Sequence, residues 1–315
     1  MRVFVAGATG VLGRRIVQRF AAHGHPVVGL VRSEDGEKAV RSAGGEPRRA
    51  SLFDVKALTE AARGSDVVVH AATAIPTKIR TTAKDWATND RIRREGTRAL
   101  TAAAGNVGAG AYLQQSVVWA VRGPEGKPFD EDAPPSGDPI LASSLDGERI
   151  ALDAGREHGF RAGVLRLGGF YSADGWHTRI LGESLSRGRP VIVEQGDAVW
   201  SLIHSDDAAS SFVAAAEKPT TGVWHVVDDQ PVAMSEYLTA MAARLSTRSP
   251  RHMRRWLARL FLGRYTADLL TSSFPSGNDR FRAAFSWRPS FPTYAEGLDE
   301  IVAAWRAEGF PERRG

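Results

Sequence analysis

Three glycines near the start of the chain have the spacing of a phosphate-binding turn. They lie in the segment GATGVLG at 7–13, after an apolar run at 3–6 and before apolar residues at helical spacing. In such a strand–turn–helix, Gly7 permits the tight turn, Gly10 lets the backbone approach a pyrophosphate, and Gly13 lets the helix lie close to the strand. Free N–H groups at the helix start then face the phosphates. The predicted dinucleotide contacts are Gly7, Thr9, Gly10, Val11, Leu12, Gly13 and Arg14. The alternative is a plain strand–turn–helix with incidental glycines.

A cation stands at the end of the second predicted strand. An acidic residue there binds a free ribose 2′-hydroxyl, whereas arginine accommodates a 2′-phosphate. This strand ends in Arg32, and Arg14 could reach the same phosphate from the first helix. The pair predicts NADP(H) as the cofactor, because guanidinium groups bind phosphate bidentately. Glu34 and Asp35 lie close by and keep NAD(H) as the alternative, and Arg32 could also be a solvated surface arginine.

The elements that must position these residues alternate between strand and helix through the first half of the chain. Apolar patterning predicts strands at 26–31, 66–71, 111–118 and 162–167, and helices at 34–43, 54–62, 86–104 and 145–158. This rhythm predicts an α/β fold, a Rossmann-type doubly wound parallel sheet. We expect a dinucleotide-binding domain over 1–170, which also receives part of 200–230, and a smaller, mostly helical substrate lobe over 171–315.

Composition excludes several classes of protein. The chain has no cysteine, which excludes disulfides, thiolate metal sites and cysteine nucleophiles, and its histidines have no metal-ligand spacing. No apolar run is long enough to span a bilayer and no leader precedes the first strand, so we expect a cytoplasmic protein. The net charge of +5 is modest and no nucleic-acid motif accompanies it. A small-molecule substrate is therefore the expected partner.

Further segments resemble the short-chain dehydrogenase/reductase superfamily, in its extended or atypical branch, the NAD-dependent epimerase/dehydratase group. These segments are 51–54, 70–73, 94–98, 115–119, 165–171, 203–208 and 285–289, and they follow the family's order. The resemblance implies that Leu52 packs by the adenine, that Ala71, Ala72 and Thr73 flank the nicotinamide ribose, and that Ser116 is the catalytic serine. It also implies a possible homodimer through the helices at 86–104 and 145–158.

The tyrosine–lysine pair on which that family's chemistry depends is missing. The lysine of a Tyr-x-x-x-Lys pair lowers the tyrosine pKa, and the tyrosine moves the proton while the cofactor moves hydride. None of the five tyrosines has a lysine four residues later. Aligning Glu148 with the acidic residue that often follows the pair places Ile140 at the tyrosine and Ser144 at the lysine. The helix is therefore kept and the acid–base couple is lost.

Other groups must then handle the proton, or no hydride chemistry occurs. Ser116 alone is a poor acid, so we expect it to hydrogen-bond the substrate oxygen beside a separate donor. Tyr171 is one candidate donor, although its ring could instead pack beneath the nicotinamide. His177 is another, because imidazole titrates near neutral pH, although it could be an ordinary loop histidine. Trp119 and Trp200 could line an apolar substrate pocket or belong to the core.

The segment 251–262 is basic and amphipathic, with Trp256, Leu257, Leu260 and Phe261 on one face. We expect this face to cover the substrate lobe, with a membrane-surface helix as the alternative.

The whole pattern indicates an atypical NADP(H)-dependent oxidoreductase acting on a carbonyl or alcohol of a small apolar molecule. The alternatives are a non-catalytic NADP(H)-binding redox sensor and a nucleotide-sugar epimerase or dehydratase.

Overall fold

A computed structural model describes residues 1–78, 80–124 and 126–310. The strands, numbered in chain order, are β1 Val3–Ala6, β2 Val27–Val31, β3 Glu46–Arg49, β4 Val67–His70, β5 Ala111–Val117, β6 Arg161–Leu167, β7 Gly169–Tyr171, β8 Pro190–Val193, β9 Val199–Trp200, β10 Leu202–His204, β11 Gly222–Val226, β12 Val232–Ala233 and β13 Arg251–Met253.

The helices surround these strands. They are α1 Val11–Ala22, α2 Glu34–Ser42, α3 Val55–Ala61, α4 Ala83–Arg91, α5 Thr97–Asn106, α6 Ala142–His158, α7 Trp176–Ser186, α8 Ser205–Glu217, α9 Met234–Arg244, α10 Arg255–Leu262, α11 Arg264–Leu270, α12 Asp279–Phe285 and α13 Tyr294–Glu308. Short 3₁₀ turns occupy Val118–Ala120 and Pro139–Leu141.

Seven parallel strands form the central sheet, in the order β11-β6-β5-β4-β1-β2-β3. The order reverses between β1 and β4, and ligands of doubly wound sheets bind at such a switch point, beyond the carboxyl ends of the strands. Fully buried valines fill β4, as expected of a parallel strand covered on both faces. The predicted Rossmann-type fold is confirmed.

The apolar pattern of the sequence did not predict the strand β3. β3 is polar and mostly exposed, and it contains Pro47. It lies at the edge of the sheet, where a proline and charged side chains are tolerated because only one side is hydrogen-bonded. Hydrophobic periodicity cannot reveal a strand of this kind.

The long helix predicted at 86–104 is present as one continuous helical run over 83–106, but the sequence did not reveal the irregular turn inside it. The structure has α4 and α5 with a π turn between them at Ile92–Gly96. A π turn adds a residue to the helical repeat, so it rotates the face that follows. Here it buries Arg93 against α6, where the carbonyl oxygen of Arg93 would lie 2.9 Å from a β-carbon at Gly147.

A second apolar cluster lies outside the sheet, between β7, α7, α9 and α13, and includes Tyr171, Leu238, Ile301 and Trp305. It packs the later half of the chain over the carboxyl edge of the sheet, while β11 returns to the sheet itself. The division into units at residue 170 stays a prediction.

The apolar face of α10 does not cover the lobe as expected. Trp256, Leu260 and Phe261 are 66%, 53% and 61% exposed, and Ala258 is the residue that this helix buries. Leu257 and Leu262 of α10 are half-buried, α11 folds back beside the helix, and its largest side chains are left outside. Among the described residues, no helix has both the length and the apolarity needed to cross a bilayer.

Candidate functional site

The glycine turn has the geometry of a phosphate cradle. Gly7 has a φ of +88°, and a β-carbon there would lie 2.5 Å from the backbone nitrogen of Ala72, at the end of β4. A β-carbon on Gly13 would lie 1.9 Å from the carbonyl oxygen of Gly7, so α1 lies directly against the turn. A β-carbon on Gly10 would meet only that oxygen, at 3.5 Å, so the face of Gly10 is open. The residues therefore fit a pyrophosphate.

The start of α1 completes this cradle. Gly10 is the N-cap residue and no side chain caps the helix, so the N–H groups of its first turn, from Val11 and Leu12 onward, are left for a ligand. Thr9 faces the next strand–helix turn, because its methyl carbon would lie 3.3 Å from a β-carbon at Gly36 of α2. Exposed Arg32 directly follows β2 at that turn. The turn and Arg32 thus share one edge of the sheet.

Arg14 is engaged within the protein. Its guanidinium contacts the carboxylate of Asp174, which Arg15 also binds at 2.9 Å. Arg15 holds Asp206 of α8 at 2.7 Å as well. Burial lowers the pKa of Arg14, and the neighbouring charge of Arg15 adds to that shift. Asp174 thus ties the chain before α7 to the first turn of α1, and the phosphate role of Arg14 stays a prediction.

The end of β4 lies beside the glycine turn, and the ribose contacts of Ala71, Ala72 and Thr73 stay a prediction. Ala71 is buried, Ala72 is half-buried and Thr73 is exposed, so the segment emerges from the sheet towards the cleft. Leu52 packs on the π turn, where its methyl carbon would lie 2.9 Å from a β-carbon at Gly96. Asn89 of α4 fixes the next residue by accepting a hydrogen bond from the Ala74 N–H at 2.9 Å.

Ser116 belongs to a buried polar cluster. Its hydroxyl donates to Glu148 of α6 at 2.5 Å, and Glu148 also accepts two hydrogen bonds from Arg166 of β6, at 2.7 and 3.0 Å. Ser116 is 3% exposed and lies opposite Arg166 in the sheet register. This ion pair orients the hydroxyl towards α6. The hydrogen bond from Ser116 to a substrate oxygen stays a prediction.

Tyr171 is enclosed by the second apolar cluster. It is 1% exposed, and its hydroxyl donates to Asp228 at 2.6 Å. A β-carbon on Gly297 of α13 would lie 2.3 Å from its ring, so the helix packs directly on it. Burial and the Asp228 charge raise the pKa of Tyr171 far above its usual value, and burial also raises that of Asp228. In this arrangement the phenol hydrogen goes to Asp228.

His177 lies in the first turn of α7, and its Nε2 contacts the carbonyl oxygen of Phe170. A carbonyl can only accept, so Nε2 carries the proton. Burial lowers the pKa of His177, which keeps the ring neutral at physiological pH. The structure therefore does not bring Ser116, Tyr171 and His177 into hydrogen-bond contact with one another, and the donor roles of Tyr171 and His177 stay predictions.

The places left by the missing tyrosine and lysine lie at the start of α6. Ile140 is in the 3₁₀ turn before the helix, and Ser144 is buried in its first turn. The hydroxyls of Ser143 and Ser144 have no hydrogen-bond partner within the described ranges. Arg93 Nη1, Asn89 Nδ2 and Trp86 Nε1 are likewise buried without a described partner on the adjoining α4 and π turn.

Three aromatic rings form a wall beyond the carboxyl end of β5. The ring centroids of Trp119 and Trp200 are 6.2 Å apart, and Phe274 lies 6.2 Å from the first and 5.8 Å from the second. The guanidinium of Arg122 stands 5.1 Å from the Phe274 ring centroid. An apolar wall with one cation at its rim suits a small aromatic or apolar molecule that carries a negative group.

Two features of the site escaped sequence reasoning. Glu148 was visible as a family landmark, but its ion pair with Arg166 needs the β5–β6 register, which no local pattern specifies. Arg93 is one arginine in a chain rich in them, and only the π turn buries it. The one signal in the sequence for the burial of Arg93 was its position on a predicted helix, seven residues after Trp86.

Comparisons with known proteins show the family of this chain and several reductases to which it is similar. The NAD dependent epimerase/dehydratase family matches residues 3–227. A 3-diazoavenalumate denitrifying reductase from a Streptomyces species is 35% identical over 314 residues, which cover 95% of this chain and 99% of that protein. A 4-hydroxy-2-methyl-3-oxo-4-farnesyl-3,4-dihydroquinoline-1-oxide ketoreductase from Stigmatella aurantiaca is 29% identical, over 76% of this chain and 72% of its own.

A solved structure shows the same fold. The human epimerase family protein SDR39U1 with NADPH superposes with a TM-score of 0.82, covering 96% of this chain and 99% of that one at 21% identity. At this identity the likeness concerns the fold alone.

Proposed function

The chain belongs to the NAD-dependent epimerase/dehydratase family, and we propose that it is an atypical NADP(H)-dependent reductase of a carbonyl on a small, largely apolar molecule. One observation carries the cofactor assignment. The open face of Gly10 and the exposed Arg32 share an edge of the sheet, and the strand that ends there has no carboxylate at its tip. A guanidinium at this place attracts a 2′-phosphate and leaves a plain ribose without its usual acidic partner.

Each part of the site has a task in this proposal. The turn at 7–13 holds the pyrophosphate, and Ala71, Ala72 and Thr73 flank the ribose. When bound, NADPH supplies a hydride. The wall of Trp119, Trp200 and Phe274 binds the apolar body of the substrate and excludes water, while Arg122 attracts a negative group at the rim. The ketoreductase named above supports a carbonyl as the acceptor.

The cofactor assignment is tested by calorimetric titration of NADPH and NADH into the wild type and Arg32→Glu. Arg32→Glu removes a bidentate phosphate contact and adds a charge of the same sign as the phosphate. We therefore expect NADPH affinity to fall about 10- to 100-fold. NADH affinity is expected to stay within about threefold. Arg189→Glu makes the same charge change on an exposed residue elsewhere and is the matched control. An equal loss of affinity for both cofactors, or an unchanged affinity for NADPH, would contradict the assignment.

A diazo group is the second candidate acceptor. The relative that matches 95% of this chain is named for a diazo substrate and for denitrification. Replacement of a diazo group by hydrogen releases N₂ and leaves no new alkoxide to protonate, which fits the loss of the Tyr-x-x-x-Lys pair. Incubation with NADPH and either aryl ketones or an ortho-diazophenol carboxylate separates the two acceptors, because one yields alcohol and the other N₂ and a phenol.

Two further functions have their own outcomes in this assay. Tight NADPH binding with no turnover of either substrate class would favour a redox sensor. Binding of a nucleotide-sugar without reduction of any ketone would favour an epimerase or dehydratase.

A further inference from the structure

A set of buried polar atoms that have no partner in the described part of the chain surrounds the place where the family's tyrosine and lysine would stand. They belong to α4, the π turn and the start of α6, and the set comprises Trp86 Nε1, Asn89 Nδ2, Asp90 Oδ1, Arg93 Nη1, Ser143 Oγ and Ser144 Oγ. Buried polar groups in proteins are nearly always hydrogen-bonded, so a cluster of exceptions needs a ligand or a functional explanation. The Asn89 side chain also holds Ala74, directly after the ribose segment. The cluster therefore borders the nicotinamide end of the cleft.

Arg93 is the charged member of this cluster. It is 7% exposed, and its backbone packs against Gly147 of α6. Burial lowers the pKa of Arg93 to about 10, which still leaves the guanidinium charged at neutral pH. The Asp90 carboxylate opposes this lowering most, and Tyr265 and Glu148 oppose it less. A cation thus stands beside α6 although the lysine position on that helix is serine.

Tyr265 reaches the same place from α11, far away in the sequence. Its ring packs edge-on against Trp86, with centroids 5.5 Å apart, and Trp86 precedes Arg93 by seven residues in the same helical run. Burial raises the pKa of Tyr265 to about 12, Asp138 adds to this rise, and Arg93 opposes it. Asp138 stands two residues before Ile140, the place where the family's tyrosine is missing. The Tyr265 ring therefore packs on the helical segment whose buried polar atoms include Arg93 Nη1 and Trp86 Nε1.

We propose that Tyr265 donates the proton to the substrate oxygen and that Arg93 stabilises the tyrosinate left behind, so that these two residues replace the missing Tyr-x-x-x-Lys pair. The inference rests on the proposed carbonyl reduction. The carbonyl carbon receives the hydride while its π electron pair moves to oxygen. The Tyr265 O–H bond breaks as the new alcohol O–H bond forms, and the cofactor is left oxidised. The reaction is downhill for the proton, because an aliphatic alkoxide is a stronger base than a phenolate, and Tyr265 recovers its proton from water.

The first experiment measures the coupling without turnover. Tyr265 is replaced by 3,5-difluorotyrosine, whose phenol ionises near neutral pH, and its absorbance is titrated in the apo protein. Because the Arg93 cation favours the phenolate, Arg93→Met is expected to raise the midpoint by at least about half a pH unit. Arg93→Lys is expected to keep it, and Arg98→Met, an exposed arginine of α5, is the control. An unchanged midpoint in Arg93→Met would overturn the pairing.

The second experiment measures the proton donation. Tyr265→Phe is expected to lower kcat for a ketone at least about 100-fold, the usual contribution of a general acid, while NADPH affinity stays within about threefold. Tyr294→Phe removes a phenol that donates a hydrogen bond to Glu236 and is the matched control. The difluorotyrosine protein is expected to lose kcat as the pH rises through the midpoint of its phenol, because only the protonated form donates.

The outcomes separate this inference from the proposed function. A kcat near that of the wild type in Tyr265→Phe would overturn the donor role while carbonyl reduction stands. A 100-fold loss of kcat confined to Tyr171→Phe or His177→Gln would do the same. Wild-type protein that binds NADPH and reduces no ketone would overturn both the function and the donor role. The titration would then still decide whether Arg93 and Tyr265 are coupled.

Discussion

Two alanine substitutions in the glycine turn are expected to separate folding from cofactor binding. Gly13→Ala places a methyl group 1.9 Å from the Gly7 carbonyl oxygen, 2.7 Å from its carbonyl carbon and 3.0 Å from the Ala8 Cα. All three atoms are backbone, so no side chain can rotate away. Gly10→Ala places its methyl group 3.5 Å from the nearest atom, at a φ of −75° that alanine adopts without strain.

The magnitudes follow from these contacts. To restore ordinary contact of 3.4 Å, α1 must withdraw from the turn by about 1.5 Å in Gly13→Ala. Overpacking against rigid neighbours costs about 3 kcal/mol. With an unfolding entropy of about 2.1 cal/mol/K per residue, this lowers Tm by about 4–5 °C for a chain of 315 residues. Gly10→Ala is expected to change stability by less than about 0.5 kcal/mol.

NADPH binding, unlike stability, is expected to be sensitive to Gly10→Ala. The methyl group of Gly10→Ala occupies the open face that the pyrophosphate must approach, and each charge-assisted hydrogen bond lost there costs about 1.5–3 kcal/mol. NADPH affinity should therefore fall at least about tenfold, which is about 1.4 kcal/mol. Gly13→Ala affects both quantities, because the displaced helix also carries the phosphate-binding N–H groups.

Thermal unfolding without cofactor and calorimetric titration with NADPH measure the two effects separately. Gly110→Ala is the matched control, because its methyl group would meet only the Asp66 carbonyl oxygen, at 3.8 Å. Wild-type NADPH affinity in Gly10→Ala would refute a pyrophosphate over this face. An unchanged Tm in Gly13→Ala would refute the close approach of α1 to the turn.

Two further predictions concern buried charge. Glu148→Leu leaves the Arg166 guanidinium buried without its carboxylate, and we expect it to lower the free energy of unfolding in urea by about 3–5 kcal/mol. Adding Arg166→Met should recover most of this loss. A double variant no more stable than Glu148→Leu would contradict this. Burial lowers the pKa of His70 to about 4 and that of His225 to about 3. Below about pH 6.5 the unfolded chain binds these protons and the folded chain does not, so stability should fall between pH 6.5 and 4, by about 3 kcal/mol from His70 alone. Tm measured against pH should flatten in His70→Gln/His225→Gln, and an equal slope in that variant would count against the argument.

Local patterns in the sequence were sufficient for the framework of the site. The glycine spacing at 7–13 and the apolar runs of β1, β2 and β4 predict the phosphate turn and the parallel sheet, because strand and helix periodicity act over a few residues. The predicted helix at 145–158 ends at the same residue as α6 and begins three residues later. The same patterns failed at β3, whose edge position makes it polar, and at α10, whose apolar face stays exposed.

The sequence by itself determined the fold, the phosphate turn, the cation after β2 and the absence of a Tyr-x-x-x-Lys pair. Only the tertiary structure decided which groups surround the place that the pair left. Arg93 becomes buried because a π turn rotates it onto α6, and Tyr265 packs from α11 against Trp86 of the same helical run, across more than half of the chain. Such neighbours are joined by packing between distant elements, and a linear pattern specifies packing only within one element.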